Sequence, residues 1–166
     1  MAQDAAHVAM LGTTPSEPVA GMTMSQVRDV VDELIAAWNA HDLDRVMACY
    51  DAAYEGTDVG EAATRQGVIS VRKMVRRWFR AFPDLHVAPD AVIIQGDQVA
   101  LGWLLQATHS GAFMRIPPTH RPITMRGVSI MTVADGQITG GSRIWDMAAF
   151  LRSVGLLPEL RDGGEE

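Results

Sequence analysis

Apolar residues in the first half of the chain recur every three or four positions, the spacing of an amphipathic helix. The pattern predicts three helices, over residues 25–38, 42–50 and 68–82. Ser25 and Asp42 stand at the N-cap positions of the first two, and the third ends before Pro83 because helical geometry is disfavoured ahead of a proline. Residues 54–67 are polar and acidic and predict a loop.

Beyond Leu85 the pattern changes to short runs rich in alternating apolar residues, which is typical of strands. These runs lie at residues 86–89, 91–95, 98–109, 123–134 and 137–145. Asp135-Gly136 is the strongest hairpin signal, and a final helix over 147–154 ends at Gly155. Helices followed by strands predict an α+β fold: a cone-shaped, curved antiparallel sheet, with the N-terminal helices enclosing one pocket.

The 166 residues have the length of one domain, and both ends differ from the middle in composition. Residues 1–22 are rich in Ala, Thr, Pro and Gly and are expected to form a disordered leader. Residues 23–160 are expected to form the domain and residues 161–166 a polar tail. The sequence shows neither an export signal nor an apolar stretch long enough for a membrane, so a cytoplasmic location is expected.

Composition and charge narrow the choice of ligand. The apolar fraction of 48% can supply a core and the lining of a cavity, whereas a net charge of -6 disfavours nucleic acid. The basic cluster of the third helix is interpreted as a solvated helix face. No glycine-rich phosphate motif or metal-ligand spacing is recognised, so neither a nucleotide cofactor nor a metal is expected. The single cysteine, Cys49, is expected in the core.

Seven short segments resemble, in order, the successive signatures of the SnoaL-like polyketide cyclase and hydroxylase family of the nuclear-transport-factor-2-like superfamily. They are residues 37–44, 81–85, 96–100, 108–113, 116–119, 135–138 and 154–158. The resemblance implies a cofactor-poor pocket enzyme. Its best-known members are aldol cyclases of aromatic antibiotic pathways, and its relatives include epoxide hydrolases, ketosteroid isomerases and anthracycline hydroxylases. It also implies a homodimer.

The resemblance breaks down at the residues that perform the cyclase chemistry. The cyclases carry an acid/base aspartate on the last strand, and that position is Arg143 here. A glutamine and a histidine of the cyclases correspond to Gly127 and Ser129, and the epoxide-hydrolase pattern also requires an aspartate at position 143. Arginine stays protonated and cannot be the base, but it can bind an enolate or phenolate oxygen. The hydroxylase branch remains, and residues 54–60 also resemble it.

These comparisons yield a set of candidate site residues. Arg143 is expected to hold a deprotonated substrate oxygen, while Asp146 or Asp58 manages the proton. The alternatives are an exposed strand position for Arg143, a helix cap for Asp146 and a solvated loop for Asp58. The residues expected to bind substrate are His109, Ser129, Trp103, Trp145, Met131, Phe113 and Tyr54. A structural role is the alternative for His109, and Trp38 and Trp78 are interpreted as core.

The expected function is hydroxylation of an aromatic polyketide or a comparable polycyclic phenol. No bound cofactor is expected, so dioxygen would be the oxidant and a partner reductase or the substrate itself the reductant. A cyclase or isomerase with a rearranged acid/base is the first alternative. A non-catalytic small-molecule-binding protein is the second.

Overall fold

This computed structural model describes residues 22–159, which contain four helices and six strands joined by loops. Their order is α1 (Met24–Asn39), α2 (Leu43–Ala48), β1 (Tyr50–Asp58), β2 (Ala63–Gln66), α3 (Gly67–Ala81), β3 (His86–Gln95), β4 (Gln98–Thr108), β5 (Pro122–Ala134), β6 (Gln137–Trp145) and α4 (Met147–Ser153). The leader and tail expected at the two ends lie outside the described residues, apart from Met22. Within that part of the chain, no helix is long and apolar enough to cross a membrane.

The six strands form one curved, open sheet in the order β2-β1-β6-β5-β4-β3. Helix α1 packs against β3, α3 against β1 and α4 against β5, so the helices and the concave face enclose an interior space. The predicted α+β fold is confirmed. One strand pair differs from the expected antiparallel pattern: β1 runs parallel to β6, which makes the sheet mixed.

The loop predicted over residues 54–67 is wrong, because these residues form most of β1, a turn and β2. Residues 55–58 pair with β2 on one side and with residues 140–143 of β6 on the other. The exposed residues of β1 are small or polar, namely Ala52, Ala53, Glu55 and Thr57. The partner strand β6 lies more than 80 residues away along the chain. Pairing on both edges thus overrides a weak local strand pattern.

Several element boundaries also differ from the expectation. Helix α1 is capped by Thr23 rather than Ser25, since the Thr23 side chain accepts the Gln26 N–H and the Gln26 side chain accepts the Thr23 N–H. Asp42 caps α2 as expected, but that helix ends at Ala48. The strands expected at 86–89 and 91–95 form one strand, β3, whose register shifts at a bulge between them.

An aromatic cluster centred on Trp78 packs between α3 and the sheet. Trp78 is 1% exposed, and its ring centroid lies 4.9 Å from Phe113, 5.4 Å from Phe82 and 5.7 Å from Trp145. Trp38 approaches it edge-on from α1 at 6.5 Å. Trp38 and Trp78 therefore belong to the core, as expected, and both also border the interior space; buried Cys49 belongs to the core as well.

The end of α1 is tied to the edge of the sheet by one side chain. Asn39 donates from Nδ2 to the Val87 carbonyl at 2.9 Å and accepts the Val87 N–H on Oδ1 at 2.7 Å. Val87 lies in β3, an edge strand whose backbone groups would otherwise be open on that side. Asn39 thus replaces a neighbouring strand at this point and fixes the helix against the sheet.

We expect Asn39→Ala to lower the free energy of unfolding by about 1–3 kcal/mol, because it leaves the partly buried N–H and C=O of Val87 without their bonds. Asn39→Asp should have an intermediate effect, since a carboxylate can accept the N–H but cannot donate. Urea unfolding followed by circular dichroism measures both changes. Equal midpoints for wild type and Asn39→Ala would contradict this assignment.

Candidate functional site

A pocket of about 90 Å³ lies between α1, α3 and the concave face of the sheet. Most of its wall is apolar and aromatic, and it includes Trp38, Met74, Trp78, Leu101, Trp103 and Met131. Polar groups also line it, including Tyr54, Asp58, Arg65, Ser129 and Arg143. A largely apolar cavity with a few polar groups is the usual form of a small-molecule site.

A buried ion pair between Asp58 and Arg143 dominates the polar part of the pocket. The parallel register of β1 and β6 sets these two residues side by side. Arg143 donates from Nε to Asp58 Oδ2 at 3.1 Å and from Nη2 to the same oxygen. The Asp58 side chain is 2% exposed and that of Arg143 17%, so Arg143 is a pocket residue and not a solvated strand arginine.

Both carboxylate oxygens of Asp58 are occupied by donors. Besides the Arg143 bonds to Oδ2, Oδ1 accepts from Trp145 Nε1 at 2.9 Å and from the Glu61 N–H at 3.1 Å. Burial raises the pKa of Asp58, but the charge of Arg143 and the hydrogen bonds from Arg143 and Trp145 outweigh burial and hold this pKa below its ordinary value. Asp58 is therefore a poor proton acceptor, and the geometry makes it the group that orients Arg143.

A second cluster of charges adjoins this pair. Glu61 Oε2 accepts from Arg65 Nη2 at 2.9 Å and from Arg77 Nη2, while Arg65 Nη2 lies 3.9 Å from Asp58 Oδ2. Arg77 belongs to the basic face of α3, yet its guanidinium bonds the buried Glu61 and lies over the Phe113 ring at 5.4 Å. The solvated-face interpretation of that cluster therefore does not describe Arg77.

One edge of the Arg143 guanidinium is open toward a ligand. Its Nη2 lies 3.0 Å from Met74 Sδ and its Cζ stands 5.1 Å over the Trp78 ring, whereas Nη1 makes no hydrogen bond to any of residues 22–159. Ser129 lies opposite Arg143 in the β5–β6 ladder. The Ser129 Oγ accepts from Trp103 Nε1 at 3.1 Å, which leaves its own proton free to donate.

The remaining expected site residues divide into two groups. Tyr54, Trp103, Ser129 and Met131 line the pocket, and Trp145 stands behind Asp58 as its hydrogen-bond donor. Burial raises the pKa of Tyr54, so this side chain stays a neutral phenol.

Asp146, His109 and Phe113 lie outside the pocket lining. Asp146 accepts the Ala149 N–H at 2.8 Å and caps α4 with its side chain about half exposed, which is the alternative named for it. His109 is fully buried behind the pocket with Phe82 and Phe150, and Nδ1 hydrogen bonds Thr119 Oγ1 at 3.1 Å. Burial lowers the pKa of His109, which favours a neutral structural residue.

Sequence reasoning missed Arg65 and Glu61 as parts of this site. No local pattern singles them out, because both follow the unexpected strand β1. Met74 was missed as a pocket residue for a different reason. Its helical spacing marks it as inward-facing, but spacing alone does not separate the wall of a cavity from a filled core.

Solved structures of several bacterial proteins share this fold. AclR from Streptomyces galilaeus, a candidate hydroxylase, is 25% identical, with 84% of this chain and 91% of that chain covered and a TM-score of 0.76. IdmH from Streptomyces antibioticus, a candidate polyketide cyclase, is also 25% identical, with 78% and 99% covered and a TM-score of 0.69. TsrD from Streptomyces laurentii, at 21% identity, 82% and 100% coverage and a TM-score of 0.74, shows the fold alone.

No protein of curated function matches the sequence significantly. The family model described as SnoaL-like polyketide cyclase matches residues 28–154, which is most of the chain. The protein therefore belongs to the SnoaL-like polyketide cyclase family.

Proposed function

We propose that this protein is a tailoring enzyme of aromatic polyketide biosynthesis that hydroxylates a polycyclic phenol. The observation that carries the proposal is Arg143, which presents an open guanidinium edge inside an aromatic pocket while Asp58 holds its other side. A phenolate oxygen is the natural partner of that edge, and the indoles of Trp78 and Trp103 suit fused rings. Similarity to AclR supports hydroxylation as the reaction class.

The proposed reaction places one oxygen atom of dioxygen in a ring C–H bond and reduces the other to water. This balance requires two electrons and two protons in addition to dioxygen. A substrate in its hydroquinone form supplies both by becoming a quinone; otherwise a partner reductase supplies the electrons and solvent the protons. Deprotonation makes the ring electron-rich enough to react, and Arg143 favours deprotonation by stabilising the anion.

Proton management in this proposal falls to hydroxyl groups instead of carboxylates. The bonds on both oxygens of Asp58 occupy its lone pairs, and Asp146 caps a helix away from the pocket lining. Tyr54 and Ser129 both line the pocket and can each donate one proton and accept another. We assign to these two hydroxyl groups the transfer of the proton from the substrate phenol to solvent.

Cyclisation or isomerisation is the second candidate, since an enolate oxygen would bind Arg143 by the same bonds. The similarity to IdmH favours it. Oxygen uptake with incorporation of labelled dioxygen into product supports hydroxylation. Exchange of a substrate C–H for deuterium without oxygen uptake supports cyclisation or isomerisation, and tight binding without either reaction supports a binding protein.

We expect Arg143→Gln to lower kcat/KM by about 100-fold or more, because the donor to the substrate oxygen and its positive charge are both lost. The assay supplies a reduced dihydroxyanthraquinone and labelled dioxygen, and mass spectrometry detects the added oxygen atom. Arg28→Ala is the control, since this arginine pairs with Asp32 on the exposed face of α1. Unchanged turnover in Arg143→Gln would refute the role given to Arg143.

We expect Asp58→Asn to lower the free energy of unfolding at pH 7 by about 3–5 kcal/mol, because the partly buried Arg143 loses its counter-charge. The folded-state pKa of Asp58 is depressed, so its stabilising effect is present above the unfolded pKa of about 3.9 and is lost as the pH falls through the folded pKa. The difference in the free energy of unfolding between the wild type and Asp58→Asn should therefore narrow below about pH 4.

Urea unfolding at several pH values measures this gap, with Asp32→Asn as a surface control expected to change stability by less than about 1 kcal/mol. The double variant Asp58→Asn with Arg143→Gln should be less destabilised than Asp58→Asn alone, because it leaves no isolated buried charge. A gap that stays constant with pH would contradict the ion-pair account.

We also propose that the protein is a homodimer formed through the convex face of the sheet, where Val128, Ile130 and Ile144 are exposed side by side. Ile144→Glu should yield a monomer in analytical ultracentrifugation, because it places a charge in the apolar interface. Ile69→Glu, at a more exposed position on α3, should leave the dimer intact. A monomeric wild type at all concentrations would disprove the dimer.

A further inference from the structure

Three aromatic side chains, two that line the pocket and one that stands behind Asp58, lie over glycines that leave room for them. A Cβ atom added to any of these glycines would overlap the ring above it, so each ring occupies the space of an absent side chain. The pairs are Tyr54 over Gly56, Trp145 over Gly60 and Trp103 over Gly127. The glycines therefore control where the aromatic parts of the site can lie.

Gly127 has the most direct influence on the pocket wall. The β4–β5 register places Trp103 opposite Gly127, and both residues face the concave side of the sheet. The six-membered ring of the indole lies directly over Gly127, while its Nε1 reaches Ser129 two residues further along β5. Any side chain at position 127 would displace the indole from the sheet and break its bond to Ser129.

Displacement of Trp103 would alter the shape and the donors of the pocket together. Trp103 lines the pocket, so an indole lifted from β5 would enter the ligand's space. Ser129 would lose the hydrogen bond that its Oγ accepts from Trp103 Nε1. Its own O–H would then no longer be held in a direction away from the indole. Since Ser129 lies beside Arg143 in the ladder, the second donor at the polar part of the pocket would no longer be fixed.

We propose that Gly127 is a specificity-determining residue that lets Trp103 form the wall against which a planar ligand of two or more fused aromatic rings stacks. The anionic oxygen of that ligand accepts from Arg143 and from the Ser129 hydroxyl. A one-ring phenol reaches the same donors but covers little of the indole. The inference rests on the proposed function, because it refines the substrate class of the same pocket.

The experiment measures binding of two probes by isothermal titration calorimetry: a dihydroxyanthraquinone with three fused rings and 4-nitrophenol with one. We expect Gly127→Ala to weaken binding of the three-ring probe by about tenfold and that of the one-ring probe by less than about threefold. The matched control is Gly102→Ala on the convex face of β4, where the nearest atom would lie at 3.5 Å. That variant should bind both probes like the wild type.

The role of Trp103 is tested by combining variants. In a Trp103→Leu background, Gly127→Ala should cause no additional loss for the three-ring probe, because the ring it displaces is gone. A Cβ at position 127 would also approach the Ile144 carbonyl oxygen at 2.7 Å, which can impair folding. If Gly127→Ala does not fold, Trp103→Leu decides alone: loss of the three-ring preference supports the inference, and retention overturns it.

The inference is overturned if Gly127→Ala weakens both probes equally, weakens neither, or acts with the same strength without Trp103. It also fails if the wild type binds no three-ring probe, and the proposed substrate class then fails with it. The predicted binding pattern without oxygen incorporation would support the role of Gly127 while refuting hydroxylation. The two proposals can thus fail separately.

Discussion

The buried ion pair between Asp58 and Arg143 is the constraint on which the site depends. Two charges removed from water are tolerated only when their hydrogen bonds are complete, and Asp58 meets this condition with Arg143, Trp145 and the Glu61 N–H. Arg143 and Trp145 come from β6, which runs parallel to β1, and the Glu61 N–H comes from the turn after β1. A shift of β1 by one residue would bury Thr57 in place of Asp58 and leave Arg143 without its carboxylate.

The same strand pairing also brings two glycines close to the ion pair. Gly56 pairs with Gly141 two residues before Asp58 pairs with Arg143. A Cβ at Gly141 would overlap the Ile130 carbonyl oxygen, and a Cβ at Gly56 would overlap the Tyr54 hydroxyl. The close approach of the backbone and the position of the Tyr54 ring therefore both require residues without side chains beside the ion pair.

Features set by neighbouring residues could be predicted from the sequence, whereas features set by contacts between distant parts of the chain could not. Helical spacing located α1 and α3, and strand alternation put Arg143 on the same face as Trp145, because both are local patterns. Strand β1 was missed because the partners that stabilise it lie far along the chain. That error hid the role of Asp58: in a solvated loop it would be a free base, whereas in a strand beside Arg143 it is an occupied counter-ion.

The change in the role of Asp58 alters where catalytic power can come from. A phenol such as tyrosine has a pKa near 10, so about one molecule in a thousand is ionised at neutral pH. The ground state for the reaction is then the neutral phenol, and a group that stabilises the phenolate lowers the barrier instead of merely tightening binding. Each unit by which Arg143 lowers the phenol pKa raises the reactive fraction about tenfold. A carboxylate near the oxygen opposes this effect, but the cluster around Asp58 holds the guanidiniums of Arg65, Arg77 and Arg143 against the two carboxylates of Asp58 and Glu61, which leaves one net positive charge.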